Sequence, residues 1–222
     1  MICYPITHRS LGAAAISLMI AFPTDGLATG EISFSDWTHQ RFSLLGGNTW
    51  RQQGSELSVE SDGAVSLLWQ AVPEDLRGAR TASWTWSVEQ GVPPTDLTAR
   101  GGDDRNLSLY AIFAPAESVA AAERQGIRSL LENPDVRVLM YVWGGVHARG
   151  DLLPSPYLGA RGKTIVLRPA GGGQHDEQVD LRADLERAFG VTDLALVGLA
   201  VSADSDDTGT AIRARIRMLE LS

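Results

Sequence analysis

The residues best suited to chemistry lie in an acidic segment near the end of the chain. Asp204, Asp206 and Asp207 fall within four consecutive positions, and Gly209 follows them. Carboxylates this close repel one another unless water or a cation screens them, and oxygen ligands at this density suit Ca²⁺. The same residue types are also common in turns between strands. The segment therefore predicts either a Ca²⁺ site or a solvated turn.

A second acidic pair, Asp103 and Asp104, follows Gly101 and Gly102 in the middle of the chain. If the fold brings this pair close to the first segment, the carboxylates would form one site. By itself, an acidic pair after two glycines is more typical of a turn or a strand cap. The candidate metal ligands are Asp103, Asp104, Asp204, Asp206 and Asp207.

Six tryptophans provide a second group of candidates, because exposed aromatic rings can contact the apolar faces of a ligand. Trp84 and Trp86 alternate on the same face as Val88, which indicates a buried core position. Trp143 ends an apolar run and precedes two glycines, so it is expected either in the core or at a rim. Trp143 and Tyr157 are the candidate ligand-binding residues.

Hydrolytic machinery is poorly supported by the sequence. Neither the G-x-S-x-G nucleophile motif nor the H-E-x-x-H zinc motif occurs in the chain. We therefore assign no catalytic residue. If the protein is an enzyme acting on polysaccharides, Asp103, Asp104 and Asp206 are its candidate acids, although spacing in sequence cannot identify an acid–base pair.

The elements that must position these residues are mostly strands, because apolar residues recur with a period of two. In Thr210–Leu219, Ile212, Ala214, Ile216 and Met218 are expected on one face, opposite a row of arginines. Thr81–Glu89 alternates in the same way. Further strands are predicted at Glu31–Phe34, Thr49–Gln52, Glu56–Glu60, Ala64–Gln70, Asn106–Phe113, Val136–Trp143, Lys163–Arg168, Gln174–Val179 and Leu194–Ala203.

Two segments have helical spacing instead. Ala116–Glu132 is rich in helix-forming residues and stops at Asn133 and Pro134. Leu181–Phe189 lies between Asp180, a good N-cap, and Gly190, a good C-cap. The order of elements predicts a single mainly β domain, a jelly-roll-like β-sandwich with two short inserted helices, spanning residues 29–222.

Residues 1–28 have the pattern of a secretory signal peptide. A short basic start is followed by the apolar run Leu11–Phe22 and then by small residues ending at Ala28. The run is shorter than the roughly 20 residues that a membrane-spanning helix needs. Cys3, the only cysteine, lies inside this segment, so no disulfide is expected in the mature chain. We expect a periplasmic or secreted protein without a transmembrane segment.

The charge and composition exclude several classes of protein. The chain of 222 residues carries 19 basic and 27 acidic side chains, giving a net charge of -8. A nucleic-acid partner is therefore not expected, because such proteins present a basic surface. A hydrophobic content of 44% excludes a wholly disordered chain.

An ordered set of short motifs resembles a bacterial family of exported proteins known as domain of unknown function 3047. The resemblance covers roughly residues 34–222 and supports a single exported domain, without implying an activity. Its motifs are Trp84-x-Trp86-x-Val88, Gly102-Asp103-Asp104, Tyr141-Val142-Trp143-Gly144, Pro156-Tyr157, Val197-Gly198-Leu199-Ala200 and Asp204-x-Asp206-x-Thr208-Gly209.

The sequence favours an exported, non-catalytic binding protein, with a carbohydrate or a glycan of the cell envelope as its partner. Two alternatives stay open: a polysaccharide hydrolase or lyase on a jelly-roll scaffold, and a structural envelope factor that binds a protein through an exposed sheet edge. The only cofactor that the sequence suggests is Ca²⁺.

Overall fold

The computed structural model describes residues 1–2, 28–42, 46–116 and 127–222, and over these residues the chain is a β-sandwich with short helices. Two sheets contain the thirteen strands of the described residues. The expected fold class is confirmed. The signal segment falls almost wholly on residues outside the described ranges, so its expected processing stays a prediction.

The first sheet, called sheet A, has the strand order β11-β6-β13-β4-β3, and β1 also pairs with β13. Every pairing in it is antiparallel. Its strands are β1 (Gly30–Glu31), β3 (Thr49–Gln53), β4 (Glu56–Asp62), β6 (Thr81–Gln90), β11 (Gly173–Asp180) and β13 (Ala211–Leu221).

The second sheet, called sheet B, has the order β2-β5-β12-β7-β8-β10-β9. Its pairings are antiparallel except for that of β8 with β10, which is parallel. Its strands are β2 (Thr38–Arg41), β5 (Val65–Ala71), β7 (Arg105–Ala114), β8 (Arg137–Trp143), β9 (Leu152–Ser155), β10 (Gly159–Arg168) and β12 (Ala195–Asp204).

The central strands of sheet B are buried on both faces, and this decides where a site can lie. Along β8, Leu139, Tyr141 and Trp143 belong to the core between the sheets, whereas Val138 and Met140 belong to a second apolar cluster. Successive side chains of a strand point to opposite faces, so the second cluster covers the outer face of sheet B. A strand buried on both faces has a nearly continuous apolar sequence, as β7 and β8 do.

The last strand departs from strict alternation. Ile212, Ala214 and Ile216 are buried as expected, but Met218 is half exposed and has a φ of 52°. The register with β6 shifts between Arg217 and Glu220. The expected inward position of Met218 is therefore wrong, because a bulge inserts extra residues and turns its side chain outward. The sequence analysis also missed β2 and β9, which are short edge strands.

Two α-helices occur in the described residues. Helix α1 (Ile127–Glu132) is the described part of the first predicted helix, whose residues 117–126 lie outside the described ranges. Helix α2 (Leu181–Phe189) has the predicted bounds. The carboxylate of Asp180 accepts the Ala183 N–H at 2.8 Å, and Gly190 ends the helix in the left-handed region. Within the described ranges, no helix is long and apolar enough to cross a membrane.

Candidate functional site

A cavity of about 400 Å³ lies on the outer face of sheet B, and we call it the acidic cavity. Its volume is within the range of small-molecule sites. Charged side chains line one end, and mostly apolar side chains line the rest. The charged residues are Asp103, Arg105, Asp204 and Asp206; the others include Phe42, Val65, Leu67, Leu97, Tyr110, Leu131, Met140, Ser155, Tyr157, Leu158 and Thr164.

Strand alternation positions the apolar wall. Leu67 on β5, Tyr110 on β7 and Met140 on β8 all belong to the apolar cluster outside the sandwich core. Thr164 on β10 lies directly opposite Met140 in the parallel pairing, so it shares that face. Because four strands contribute one side chain each, the wall is held by the hydrogen bonds of the sheet.

A bulge positions the charged end of the acidic cavity. The β7–β12 register shifts between Ser202 and Asp204, so that Asp204 lies opposite Arg105. Bulges re-aim side chains, and this one places Asp204 and Arg105 on the same face as Tyr110. Both charged residues are buried, with side-chain exposures of 10% each. A buried charge needs a partner of opposite charge, and Asp204 and Arg105 are partners of each other.

The guanidinium of Arg105 connects the two acidic segments. Its Nη1 lies 2.9 Å from Asp103 Oδ2 and 3.1 Å from Asp204 Oδ2. Its Nη2 donates to the Tyr110 hydroxyl at 3.1 Å, and that hydroxyl lies 3.3 Å from Ser202 Oγ. Burial acts to lower the pKa of Arg105, but Tyr110, Asp204 and Asp103 together raise it, so the cation is retained.

Asp204 is the most perturbed carboxyl of the site. Burial above all, together with the neighbouring carboxyls of Asp206 and Asp104, raises its pKa to about 8, against the attraction of Arg105. Its second oxygen, Oδ1, is buried and has no hydrogen-bond partner among the described residues. Such an atom is costly unless a proton, a cation or a ligand satisfies it.

The two acidic segments meet in space. Asp104 Oδ2 accepts the Thr208 N–H at 2.7 Å, and its Oδ1 accepts the Asp207 N–H at 3.4 Å. Carboxylate oxygens of Asp104, Asp204 and Asp206 all lie within 4.8 Å of one another, so this cluster can hold a metal ion. Asp103 is bound to Arg105 instead, and Asp207 is exposed outside the cluster.

Tyr157 lies at the rim of the acidic cavity. Its hydroxyl donates to Asp103 Oδ1 at 3.0 Å and accepts the Gly101 N–H at 3.2 Å. The Arg100 guanidinium lies 5.0 Å from the centre of its ring, within cation–π range. The ring is 53% exposed, so the predicted ligand-binding residue is accessible while its hydroxyl is fixed.

Trp143 lies in the core between the sheets. Its side chain is 1% exposed, and its ring centre is 5.5 Å from that of Trp86 and 5.0 Å from that of His175. Trp84 and Trp86 are also buried, as their alternation with Val88 indicates. A ring without an accessible face cannot stack on a ligand, so this placement removes Trp143 from the candidate ligand-binding residues.

The sequence analysis missed several residues of the acidic cavity. Arg105 is the most important of them. Its position at the start of a long apolar strand indicates that it is buried, and a buried arginine requires acidic partners such as the two predicted acidic segments. Tyr110 and Thr164 gave no comparable signal. Their presence in the cavity depends on which face of sheet B is covered by other parts of the chain, and that is a tertiary property.

Comparisons with known proteins give the family but no activity. A family model described as "Protein of unknown function (DUF3047)" matches residues 35–220, and the chain belongs to this family. No curated protein matches the chain. Among solved structures, the chain is similar to the xyloglucanase domain of NopAA, a type three effector from Sinorhizobium fredii, in complex with cellobiose. The identity is 8%, the TM-score is 0.41, and the match covers 88% of this chain and 98% of that one.

Proposed function

We propose that this protein is an exported, non-catalytic binding protein that takes a carbohydrate in the acidic cavity. The observation that carries the proposal is the charged end of that cavity, where a buried oxygen of Asp204 has no hydrogen-bond partner in the described part of the chain and lies beside the exposed Asp206. A sugar hydroxyl, which can both donate and accept, would satisfy this oxygen whether the carboxyl is ionised or protonated.

The remainder of the acidic cavity supports the same class of ligand. Sugars have polar edges and apolar C–H faces, and the cavity likewise combines carboxylates at one end with aliphatic walls from Leu67, Leu97 and Met140. Ser155 and Thr164 add hydroxyl groups along the wall. A few placed polar groups in a largely apolar cavity are the usual arrangement of small-molecule sites.

The geometry favours binding over hydrolysis. Glycoside hydrolysis generally needs two carboxyl groups that flank the scissile bond, about 5–9.5 Å apart. Asp104, Asp204 and Asp206 form one cluster at one end of the cavity, with one carboxylate oxygen of each within 4.8 Å of the others, so they lie together on one side of a bound ligand. Asp103 is held by Arg105 and by the Tyr157 hydroxyl, so its carboxylate is occupied by partners within the chain.

A glycan array followed by isothermal titration calorimetry tests the proposal. The wild type should bind at least one envelope or plant glycan, and Asp206→Asn should weaken that binding at least tenfold. Asp75→Asn is the matched control, because Asp75 is an exposed acid in the short 3₁₀ helix Glu74–Leu76, away from the acidic cavity. Absence of binding to every glycan would contradict the proposal, and chromatographic detection of cleavage products would contradict its non-catalytic part.

A second candidate function concerns the same acidic end. We propose Ca²⁺ as the cation of the Asp104, Asp204 and Asp206 cluster, because Ca²⁺ accepts several carboxylate ligands in flexible geometry. A cation at a hundredfold excess over its Kd stabilises the fold by about 2.7 kcal/mol. Thermal melts in EDTA and in millimolar Ca²⁺ should therefore differ for the wild type and coincide for Asp206→Ala. Identical wild-type melts would contradict this second candidate.

Export to the periplasm or the medium is part of the proposal and depends on the N-terminal sequence pattern alone. Cell fractionation of the full chain, with mass spectrometry of the recovered protein, should give a mature form that begins near residue 29. Recovery of the intact chain in the cytosol would contradict export without affecting the binding proposal.

A further inference from the structure

A second cavity of about 220 Å³ adjoins the acidic cavity, and we call it the distal cavity. The two cavities share a set of wall residues, so they form one continuous cleft on the outer face of sheet B. The shared residues are Phe42, Leu67, Leu131, Tyr157 and Leu158.

The far end of this cleft is polar again. Gln40, Glu132 and Arg161 line the distal cavity, and none of them belongs to the acidic cavity. Arg161 donates from Nη1 to the carbonyls of Leu131 and Asn133, so it is fixed against the end of helix α1. Gln40 and Glu132 bring amide and carboxylate groups to the same end. The cleft therefore has polar groups at both ends and an apolar middle.

Strand register gives the separation of the two polar ends. Asp204 lies opposite Val65, and Gln40 lies opposite Leu67, so all four residues share the outer face of sheet B. The path crosses from β12 through β5 to β2 and advances two residues along the strand. With strands about 4.8 Å apart and residues about 3.4 Å apart, the Cα atoms of Asp204 and Gln40 are roughly 12 Å apart.

We infer that the ligand of this cleft is an oligosaccharide of at least two linked sugar units, bound with its hydroxyl groups on the carboxylates at one end and on Gln40 and Glu132 at the other. This inference rests on the proposed function, which it deepens by giving the ligand a minimum length. A single sugar ring occupies one of the two cavities, of about 400 and 220 Å³, at a time, whereas linked rings occupy both and place C–H faces over the shared residues Leu67 and Leu158.

Calorimetric titration with two ladders of oligosaccharides tests this inference. The probes are cello-oligosaccharides of one to four glucose units and chito-oligosaccharides of one to four N-acetylglucosamine units. For the ladder that binds, affinity should rise at least tenfold between the monosaccharide and the trisaccharide. Gln40→Ala should remove at least threefold of that gain with length, and Glu132→Gln should act in the same direction.

Gln53→Ala is the matched control, because Gln53 is an exposed glutamine at the end of β3 in sheet A. Thermal melts of each variant verify that it is folded. Equal affinity for every length, or an unaltered length dependence in both Gln40→Ala and Glu132→Gln, would overturn the inference while leaving the proposed function standing. Absence of binding at every length in both ladders, together with a negative glycan array, would instead overturn the proposed function itself.

Discussion

Two buried carboxylates, Glu177 in sheet A and Asp204 in sheet B, have opposite surroundings. Glu177 is 1% exposed, and both of its oxygens are satisfied. Its Oε1 accepts from Arg168 Nε at 2.6 Å and from Trp86 Nε1 at 3.2 Å, and its Oε2 accepts from Arg149 Nη2 at 3.0 Å. Two cations therefore surround one carboxylate, and the cluster needs nothing further.

The surroundings of Asp204 lack this balance. One cation, Arg105, serves both Asp103 and Asp204, while Asp104 and Asp206 add further negative charge. One oxygen of Asp204 has no partner among the described residues. A satisfied cluster is typical of a structural element, whereas an unsatisfied cluster at a cavity is typical of a binding site. The comparison thus supports a structural role for Glu177 and the proposed binding role for Asp204.

The largest effect is expected from Trp143→Ala, which removes a ring packed beside Trp86 in the region of Glu177. Truncation of a buried tryptophan costs about 4 kcal/mol, because apolar contacts are lost and a cavity remains. Chemical denaturation should show this loss of the free energy of unfolding. A variant as stable as the wild type would contradict the core position of Trp143, whereas glycan binding by the folded fraction should be unchanged.

Glu177→Gln is expected to have the next largest effect. Removing one charge from a buried, satisfied ion cluster leaves Arg168 and Arg149 without their counter-ion and costs about 3 kcal/mol. Urea denaturation gives the free energy of unfolding, and calorimetry on the same preparation should show unchanged ligand affinity. Loss of affinity without loss of stability would reverse the roles assigned to the two clusters.

Asp204→Asn is expected to change the pH dependence of stability. Since burial raises the pKa of Asp204 from 3.8 to about 8, the folded chain keeps a proton that the unfolded chain releases. The stabilising contribution of this proton is present below pH 3.8 and is lost as the pH rises towards 8. In EDTA, the wild type should therefore lose up to about 1.4 kcal/mol per pH unit between these limits, relative to Asp204→Asn.

If the free energy of unfolding changed with pH in the same way for the wild type and for Asp204→Asn, that expectation would be contradicted. The amide of asparagine is uncharged at every pH and has nearly the shape of the protonated carboxyl, so the variant is its own control for packing.

In EDTA, Asp206→Asn should have the smallest effect on the free energy of unfolding, within about 0.5 kcal/mol, because Asp206 is exposed. The same substitution should nevertheless lower the affinity for the glycan at least tenfold. Thermal melts and calorimetry on one preparation separate the two quantities. A loss of several kcal/mol in stability would place Asp206 with Glu177 as a structural residue and would remove it from the proposed site.

The fold could be predicted from the sequence where burial follows a simple period. The β-sandwich, helix α2 with its caps at Asp180 and Gly190, and most strands were predicted from alternation and capping residues. The predicted inward orientation of Met218 was wrong because a bulge inserts an extra residue into β13, and the sequence carries no signal for this bulge. The edge strands β2 and β9 were missed because each has four residues and no clear alternation.

The candidate site could be predicted only in part. The acidic segments at Asp103 and Asp204 were evident from composition, but their meeting through Arg105 depends on the pairing of β7 with β12, which local sequence does not specify. Long-range pairing also explains why the prediction for Trp143 stayed open between core and rim. The apolar run before Trp143 fits a strand in the core and a strand that ends at a rim equally well. Long-range pairing decides between these outcomes, and it depends on the whole chain.

The measurement that tests the central claim most directly is a ¹H–¹⁵N NMR titration of the chain with the glycan selected on the array. We predict that amide shifts concentrate at the acidic cavity, including Thr208, whose N–H is bonded to Asp104, and Arg105. The amides around Glu177 on β11 should remain unchanged. The account would be contradicted if amide shifts changed only on β11, or across sheet A without any change at the acidic cavity.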